Sequence, residues 1–384
     1  MIYDVVVVGA GPSGTTAARK CALNGLNTLI IEKEKLPRYK VCAGGITERA
    51  VSLLDFKIDD KLIERKCNGI RIYYNEYTVS AKTKFRMVTL TYRDKFDMFL
   101  LRKAMDAGAE VRDSEKVKSL SIGKDRVIIK TRNNEYRAKA VIGADGVNSL
   151  VAKYVRAKFK PKELALCLEA EIPIDNNVGG IRDLDIVSAY FGYTFMGYGW
   201  VFPKRENLSV GVAGRLLEFK NPESVFRKFL RDLKIESDVR YHAHMLPYGG
   251  YDRRVYSDRI LLVGDAAGFV DPLTGEGILY AINSGKIAAD VIMDAHEEDD
   301  FSVNKFGEYA RICHNAFGSY LRDTLRVSLL VHKYPNIFFR TLTRNNDLLL
   351  KFLEVQAGKT DYREFRRWLL IRMPYYGITG HIMT

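Results

Sequence analysis

Glutamine is all but missing from this chain: Gln356 is the one example among 384 residues. Set beside abundant lysine, arginine and glutamate, that scarcity fits a hot habitat, where thermolabile amides are disfavoured. Long apolar runs are missing too. No stretch of eighteen or more apolar residues occurs, so no spanning helix is expected. The N-terminus enters a strand at Ile2 without a basic leader or a small-residue cleavage site, and no secretory signal is expected either. Cysteine is sparse: Cys21, Cys42, Cys67, Cys167 and Cys313 are odd in number and show no CxxC spacing. That argues against a structural zinc site or a disulfide framework and favours a reduced, cytoplasmic setting, although hyperthermophile cytosols tolerate disulfides. No helix-turn-helix, zinc-finger, RRM or KH signature is present, and no internal repeat or low-complexity linker. Nucleic acid is therefore not an expected partner.

What is present suffices for a sizeable core. Apolar residues make up 47% of the chain, and its length allows two or three structural units. The net charge of +13 is unevenly placed: from Phe301 onward thirteen Lys or Arg face six Asp or Glu, so the last 84 residues carry +7. Fourteen aromatics share that stretch, among them Phe338, Phe339, Trp368, Tyr375 and Tyr376. Basic and aromatic surface together suit an anionic, greasy partner such as a membrane face. A solvated basic surface over an aromatic core is the competing reading.

The densest signal is at the start. An apolar strand from Ile2 to Val8 runs into Gly9, Gly11 and Gly14, then a helix, then a second strand ending at Glu32. Gly9 allows the tight turn, Gly11 lets backbone approach a pyrophosphate, and Gly14 lets helix pack on strand. The helix N-terminus offers free N–H groups and a positive dipole end to phosphate. Glu32 stands about twenty residues beyond the glycines, where a carboxylate accepts both ribose hydroxyls and disfavours a 2′-phosphate. Further on, AVIGADGVNS (Ala140 to Ser149) and RILLVGDAAGFVDPLTGEGI (Arg259 to Ile278) are again apolar strands running into Asp-Gly or Gly-Asp. Between these anchors short strands are expected over 71–92, an amphipathic helix leading to a strand in RDKFDMFLLRKAMDAGAEV, and a strand-dominated stretch from Glu163 to Arg254 with one helix near Pro222 to Leu233. After Ser302 the pattern is helical, broken near Pro335 and Pro374.

These three motifs, in this order, resemble the FAD enzymes related to para-hydroxybenzoate hydroxylase. The resemblance implies an α/β fold: a Rossmann-type FAD-binding domain (1–70, 93–160 and 255–300) interleaved with a sheet-rich substrate or lid domain (71–92 and 161–254), plus a helical C-terminal region (301–384). It implies that Asp265 holds a ribityl hydroxyl, that the helix opening near Gly275 to Ile278 aims its N-terminus at the flavin, and that Asp145 braces its own loop. Two local motifs, RYKVCAGGI (Arg38 to Ile46) and YGWVFPK (Tyr198 to Lys204), narrow the likeness to the geranylgeranyl reductase branch, the archaeal enzymes that saturate isoprenoid chains of membrane lipids. One departure stands out: the branch motif begins with a proline where this chain has Phe195.

On that resemblance, cofactor contacts are expected from Gly9, Gly11, Ser13, Gly14, Glu32, Lys33, Cys42, Ala43, Gly44, Gly45, Ile46, Arg93, Val117, Asp265, Gly275, Gly277 and Ile278. Tyr198, Trp200, Phe202 and Pro203 are the expected substrate contacts, with Cys42, Tyr198 and Trp200 as catalytic candidates. If Tyr198 to Phe202 is extended, alternate residues line one apolar wall, which a C20 chain needs because each buried methylene contributes about 0.8 kcal/mol. Ordinary core packing explains such a triplet equally well, and a buried cysteine is commonly inert. The activity implied is reduction of isolated C=C bonds in geranylgeranyl chains of ether lipids or prenyl diphosphates, by hydride from reduced FAD with a proton. An electron donor, reduced ferredoxin or NAD(P)H, and a peripheral anionic membrane surface are the implied partners. No metal is expected; His242 and His244 lack a third ligand. Three alternatives stay open: an FAD monooxygenase, a halogenase, whose W-x-W-x-I-P segment Tyr198 and Phe202 fail to match, and a non-redox prenyl-lipid binding or cyclising flavoprotein.

Overall fold

The computed structural model describes residues 1–174, 183–235, 239–360, 364–365 and 367–372. Tyr375, Tyr376 and the break expected at Pro374 lie outside the described residues. The chain forms two compact units, Met1–Lys40 with Arg93–Leu164 and Leu246–Leu325, and Val41–Tyr92 with Ala165–Met245 and Arg326–Thr384.

The first unit is built on an eight-stranded sheet whose main path runs Tyr256–Ser257, Ile260–Leu262, Glu135–Gly143, Tyr3–Val8, Thr28–Ile31, Glu110–Arg112. The four inner strands and Glu110–Arg112 pair in parallel. Parallel strands covered on both faces read as unbroken apolar runs, which is why YDVVVV and TLII were recognisable. The helices Pro12–Leu23 and Ile278–Glu297 pack closely through Gly285, where a Cβ would lie 2.4 Å from the Ser13 carbonyl oxygen. Arg93–Asp106 forms the expected amphipathic helix, burying Phe96, Leu100 and Ala104.

The second unit holds a seven-stranded sheet in the order His242–Pro247, Leu164–Pro173, Asn207–Arg215, Gly199–Pro203, Ile186–Tyr190, Gly69–Tyr74, Tyr77–Lys82. Period-two alternation sorts its side chains onto two faces. One face presents Leu168, Ala170, Ile172, Val201, Val210 and Val212 to Phe226, Phe229 and Leu230 of the helix Pro222–Asp232. The opposite face carries Glu169, Glu171, Ser209, Gly211, Trp200 and Phe202, as the pairings Glu169↔Gly211, Glu171↔Ser209, Trp200↔Gly211 and Phe202↔Ser209 require. At the far edge the helices Pro335–Arg344 and Asn346–Gln356 lie against Tyr77–Lys82, with Phe339 stacked on Tyr74 at 4.5 Å between ring centroids.

These units divide the chain differently from the boundaries read off the sequence. Residues 41–70, grouped there with the nucleotide-binding part, cluster with the sheet-rich unit. The reason is pairing: Gly45–Thr47 and Arg65–Cys67 both bond to Val88–Leu90, and Gly69–Tyr74 bonds to Ile186–Tyr190. Nor do residues from 301 onward form a separate region, since the division falls within the helix Ser319–Lys333.

Candidate functional site

In the first unit the glycines do distinct jobs. Gly9 has φ +110°, and a Cβ there would sit 2.3 Å from the Ala144 carbonyl oxygen. Gly14 is tighter, with the Gly9 carbonyl oxygen 2.0 Å from its Cβ position. Gly11, by contrast, is ordinary extended backbone (φ −79°, ψ 179°), and its Cβ position meets only Arg38 Nη2 at 3.8 Å. Neither helix nor neighbour requires a glycine there, and the backbone is left open to a ligand. The helix Pro12–Leu23 starts at Gly11 without a side-chain cap or an acid in its first turn, so its amide donors are free for an anion. Ser13 is buried in that turn. Glu32, also buried, accepts the Ala10 N–H through Oε2 at 2.8 Å and the Glu34 N–H through Oε1 at 3.1 Å. About four lone-pair positions on a carboxylate leave capacity for ribose hydroxyls. The Glu115 N–H bonds the Glu32 carbonyl at 2.8 Å, which fixes the segment leading to buried Val117. Lys33 is exposed and lies 3.8 Å from Glu34.

Arg93 is held by a residue that the sequence did not single out. Its Nε and Nη2 donate to Asp97 at 2.8 and 3.1 Å, and Arg38 Nη1 donates to the same carboxylate at 3.1 Å. Asp97 is buried between two guanidinium groups, one of which also reaches Glu32 at 3.8 Å. The i,i+4 spacing of Arg93 and Asp97 on one helix was the available signal.

Asp265 lies in the short helix Gly264–Ala267, and its Oδ1 is 3.6 Å from the Cβ position of Gly277. Removal from water raises its carboxyl above the usual range, against the opposing charges of Lys40 and Arg93. From Gly277 the long helix Ile278–Glu297 departs, again without a side-chain cap or an acid in its first turn. A carboxylate and an uncapped helix start are thus brought together at Gly277. Gly275 takes φ +72° in a turn that buried Asp271 holds by accepting the Leu273 and Thr274 N–H groups at 2.7 and 3.2 Å and the Tyr320 hydroxyl. Sequence reasoning missed Asp271. Asp145 braces its own loop, accepting the Ser149 hydroxyl and the Leu150 and Val151 N–H groups.

The open approach over Gly11, two uncapped helix starts and the carboxylates of Glu32 and Asp265 fit a flavin dinucleotide. When bound and reduced, FAD supplies a hydride.

The remaining candidates lie in the second unit. Cys42 and Ala43 are half-buried, and the Gly44 N–H approaches the Cys42 Sγ at 3.4 Å. Gly44 has φ +78°, and its Cβ position is 1.9 Å from the Thr91 carbonyl oxygen, so no other residue fits. Gly45 and Ile46 open the strand Gly45–Thr47; the Phe202 ring lies 3.2 Å from the Cβ position of Gly45. Trp200 is buried over Gly211, and its Nε1–H donates to Ser209 Oγ at 3.2 Å. Ser209 in turn donates to Glu169 Oε1 at 2.6 Å, and Glu169 Oε2 accepts the Cys42 N–H at 2.6 Å. Burial pushes the Glu169 carboxyl up, as does Glu171, while Ser209 and Lys204 oppose the shift. The expected single apolar wall is therefore corrected: Trp200 and Phe202 share a face, but strand alternation places Glu169 and Glu171 on it too. Tyr198 precedes the strand Gly199–Pro203, half-buried, 5.5 Å from the Phe191 ring. Pro203 is buried at the strand's end. Phe195, where the branch motif has proline, sits under the Arg215 guanidinium at 4.8 Å. Among the described residues no three His, Cys, Asp or Glu side chains are placed to hold a metal.

Comparison with known proteins bears on the fold and the family. The FAD binding domain family matches residues 2–191. Digeranylgeranylglycerophospholipid reductase of Methanocaldococcus jannaschii is 31% identical over 97% of this chain and 96% of its own. Reductase 1 of that name from Methanopyrus kandleri is 33% identical over 80% and 85%. In three dimensions the chain is similar to a geranylgeranyl bacteriochlorophyll reductase-like protein from Thermoplasma acidophilum, with a TM-score of 0.80, 26% identity and coverage of 98% and 97%. The halogenase PltM, crystallised with phloroglucinol and FAD, shares the fold at a TM-score of 0.71 and 20% identity, covering 96% of this chain and 86% of its own. The glycine clamp, the Gly-Asp strand end and these full-length likenesses make the chain a member of the digeranylgeranylglycerophospholipid reductase family, an FAD-binding oxidoreductase.

Proposed function

We propose that this protein saturates isolated double bonds in geranylgeranyl chains of archaeal-type ether lipids. The observation that carries the reading is the meeting of Asp265 with the uncapped start of the helix Ile278–Glu297, in a chain whose full length matches reductases of such lipids. The protein's own residues bind and orient. The glycine turn and Glu32 take the nucleotide; Asp265 takes a hydroxyl of the ribityl chain; the helix donors stabilise negative charge on the reduced ring. Cys42, Trp200, Tyr198 and Phe202 serve the prenyl chain, the aromatic faces favouring cationic character at the tertiary carbon. Electrons come from reduced ferredoxin or NAD(P)H.

Purified protein incubated with dithionite and a digeranylgeranyl phospholipid should yield product heavier by two hydrogens per reduced bond. Mass spectrometry reads the outcome directly. A gain of oxygen would support a monooxygenase instead, and unchanged mass with altered chromatography a cyclase.

The substrate class also calls for a lipid surface. Leu330, Tyr334 and Ile337 are exposed, and Arg326, Lys333, Arg340 and Arg344 accompany them in a stretch, Arg326 to Asn346, without one acid. No helix among the described residues is long and apolar enough to cross a membrane, so attachment is peripheral in this reading. Co-sedimentation with anionic vesicles should be strong at low salt and weaken as salt rises, with neutral vesicles binding less. Equal binding to both kinds of vesicle would contradict an electrostatic surface.

A further inference from the structure

Glu169 is a fully buried carboxyl that neither the motifs nor the assigned chemistry uses. It occupies the middle of Leu164–Pro173, and each of its oxygens has a different client. Oε2 accepts the backbone N–H of Cys42, 127 residues away in sequence, and Oε1 accepts the hydroxyl of Ser209. Ser209 Oγ meanwhile accepts the indole N–H of Trp200. An unbroken hydrogen-bonded path therefore runs from the Cys42 loop to the indole, and all four residues belong to the second unit. Both signature segments of the family, which lie far apart in the chain, meet at this one acid.

Burying a carboxyl is costly unless its acceptor capacity is used, and a well-packed apolar side chain would hold a sheet face as well. What an apolar residue cannot do is join two donors from different segments. A backbone N–H and a hydroxyl on opposite oxygens define a two-acceptor bridge, and of the uncharged side chains even glutamine would present an NH2 to one of them. The surroundings keep this acid from being a plain ion pair: the buried Lys204 ammonium bonds Glu171, two residues along the strand, and lies 4.0 Å from the Tyr92 ring centroid.

We propose that Glu169 is a positioning residue that couples the Cys42 loop to Trp200 through Ser209, so that the thiol and the indole are placed together. The inference rests on the reading of Cys42 and Trp200 as residues of the reductase site. It acts through other residues and touches no reacting atom itself.

The test uses the full-length, FAD-loaded protein and needs no lipid. Cys21, Cys67, Cys167 and Cys313 are buried, so Cys42 is the reporter for iodoacetamide alkylation followed by mass spectrometry. Ser209→Ala is the critical variant, because Ser209 touches Glu169 and Trp200 but makes no hydrogen bond to Cys42. Loss of its hydroxyl should loosen the bridge and speed Cys42 alkylation by about threefold or more, the size expected of coupled neighbours. Glu169→Gln should do the same, with Trp200 fluorescence shifting in both when Trp368→Phe removes the other indole. FAD content should stay at the wild-type level. If Ser209→Ala shifts the fluorescence and leaves Cys42 alkylation unchanged, the coupling does not exist and the acid only packs. Should Glu169→Gln fail to fold, Ser209→Ala alone decides. A wild-type protein inert toward lipid would sink the reductase reading, whereas unchanged alkylation in a lipid-active protein would sink this inference.

Discussion

Replacing Gly11 with leucine should give a folded protein that no longer holds FAD. The backbone at this position is extended, with φ −79°, and the nearest atom to a new Cβ is Arg38 Nη2 at 3.8 Å. Stability without cofactor should therefore stay within about 1 kcal/mol of the parent. The added side chain would instead fill the approach that a pyrophosphate needs, and an affinity loss of at least about a hundredfold, roughly 2.7 kcal/mol, is expected. Released-flavin absorbance and a denaturant titration of the apoprotein measure the two halves. The same change at Gly14 should damage folding as well, because its Cβ would lie 2.0 Å from a carbonyl oxygen. A yellow Gly11→Leu protein would show that nothing passes over that glycine.

Lys204→Met should strongly destabilise the second unit. The side chain is 1% exposed, bonds Glu171 and sits over the Tyr92 ring. Methionine fills much of the volume but removes the ammonium that Glu171 bonds and that faces Glu169. Removing one partner of a buried pair costs about 3 kcal/mol or more. The double change Lys204→Met with Glu171→Leu should recover most of the loss, since both charges leave together. The sign of the pH dependence is set by Glu169. Burial already raises the Glu169 carboxyl and Lys204 opposes that shift, so losing the ammonium raises it further above the unfolded value; the deficit is present at neutral pH and shrinks as acid protonates the group. Urea unfolding of the single and double variants at neutral and mildly acidic pH tests both points. A single variant as stable as the parent at neutral pH would mean that the ammonium contributes nothing net.

Much of the first unit's fold was legible because its information is local. Gly9, Gly11, Gly14 and Glu32 sit in one strand–helix–strand unit, where spacing alone sets the turn and the packing of helix on strand. Asp265 follows a strand within a short, recognisable run. The buried acids were harder. Glu169 lies in LALCLEAEIP, where an alternating charged residue reads as solvent-facing; its burial depends on the neighbouring strand Asn207–Arg215 and on a loop 127 residues earlier. Asp271 was missed for a similar reason, since Tyr320, which donates to it, comes from a distant part of the chain, as does Arg38, the second guanidinium on Asp97.

By itself, then, the sequence determined the glycine turn and the parallel strands around it, because apolar periodicity and glycine spacing act over a few residues, while the class of chemistry came through the resemblance of its motifs to a known family. Only the tertiary structure decided that residues 41–70 cluster with the sheet-rich unit, through strands pairing with Val88–Leu90 and Ile186–Tyr190. It likewise decided that the face bearing Trp200 and Phe202 carries two acids and joins Cys42 to Ser209. Strand register and long-range hydrogen bonds set these features, and both depend on which distant segments meet, a choice that no local pattern in the chain encodes.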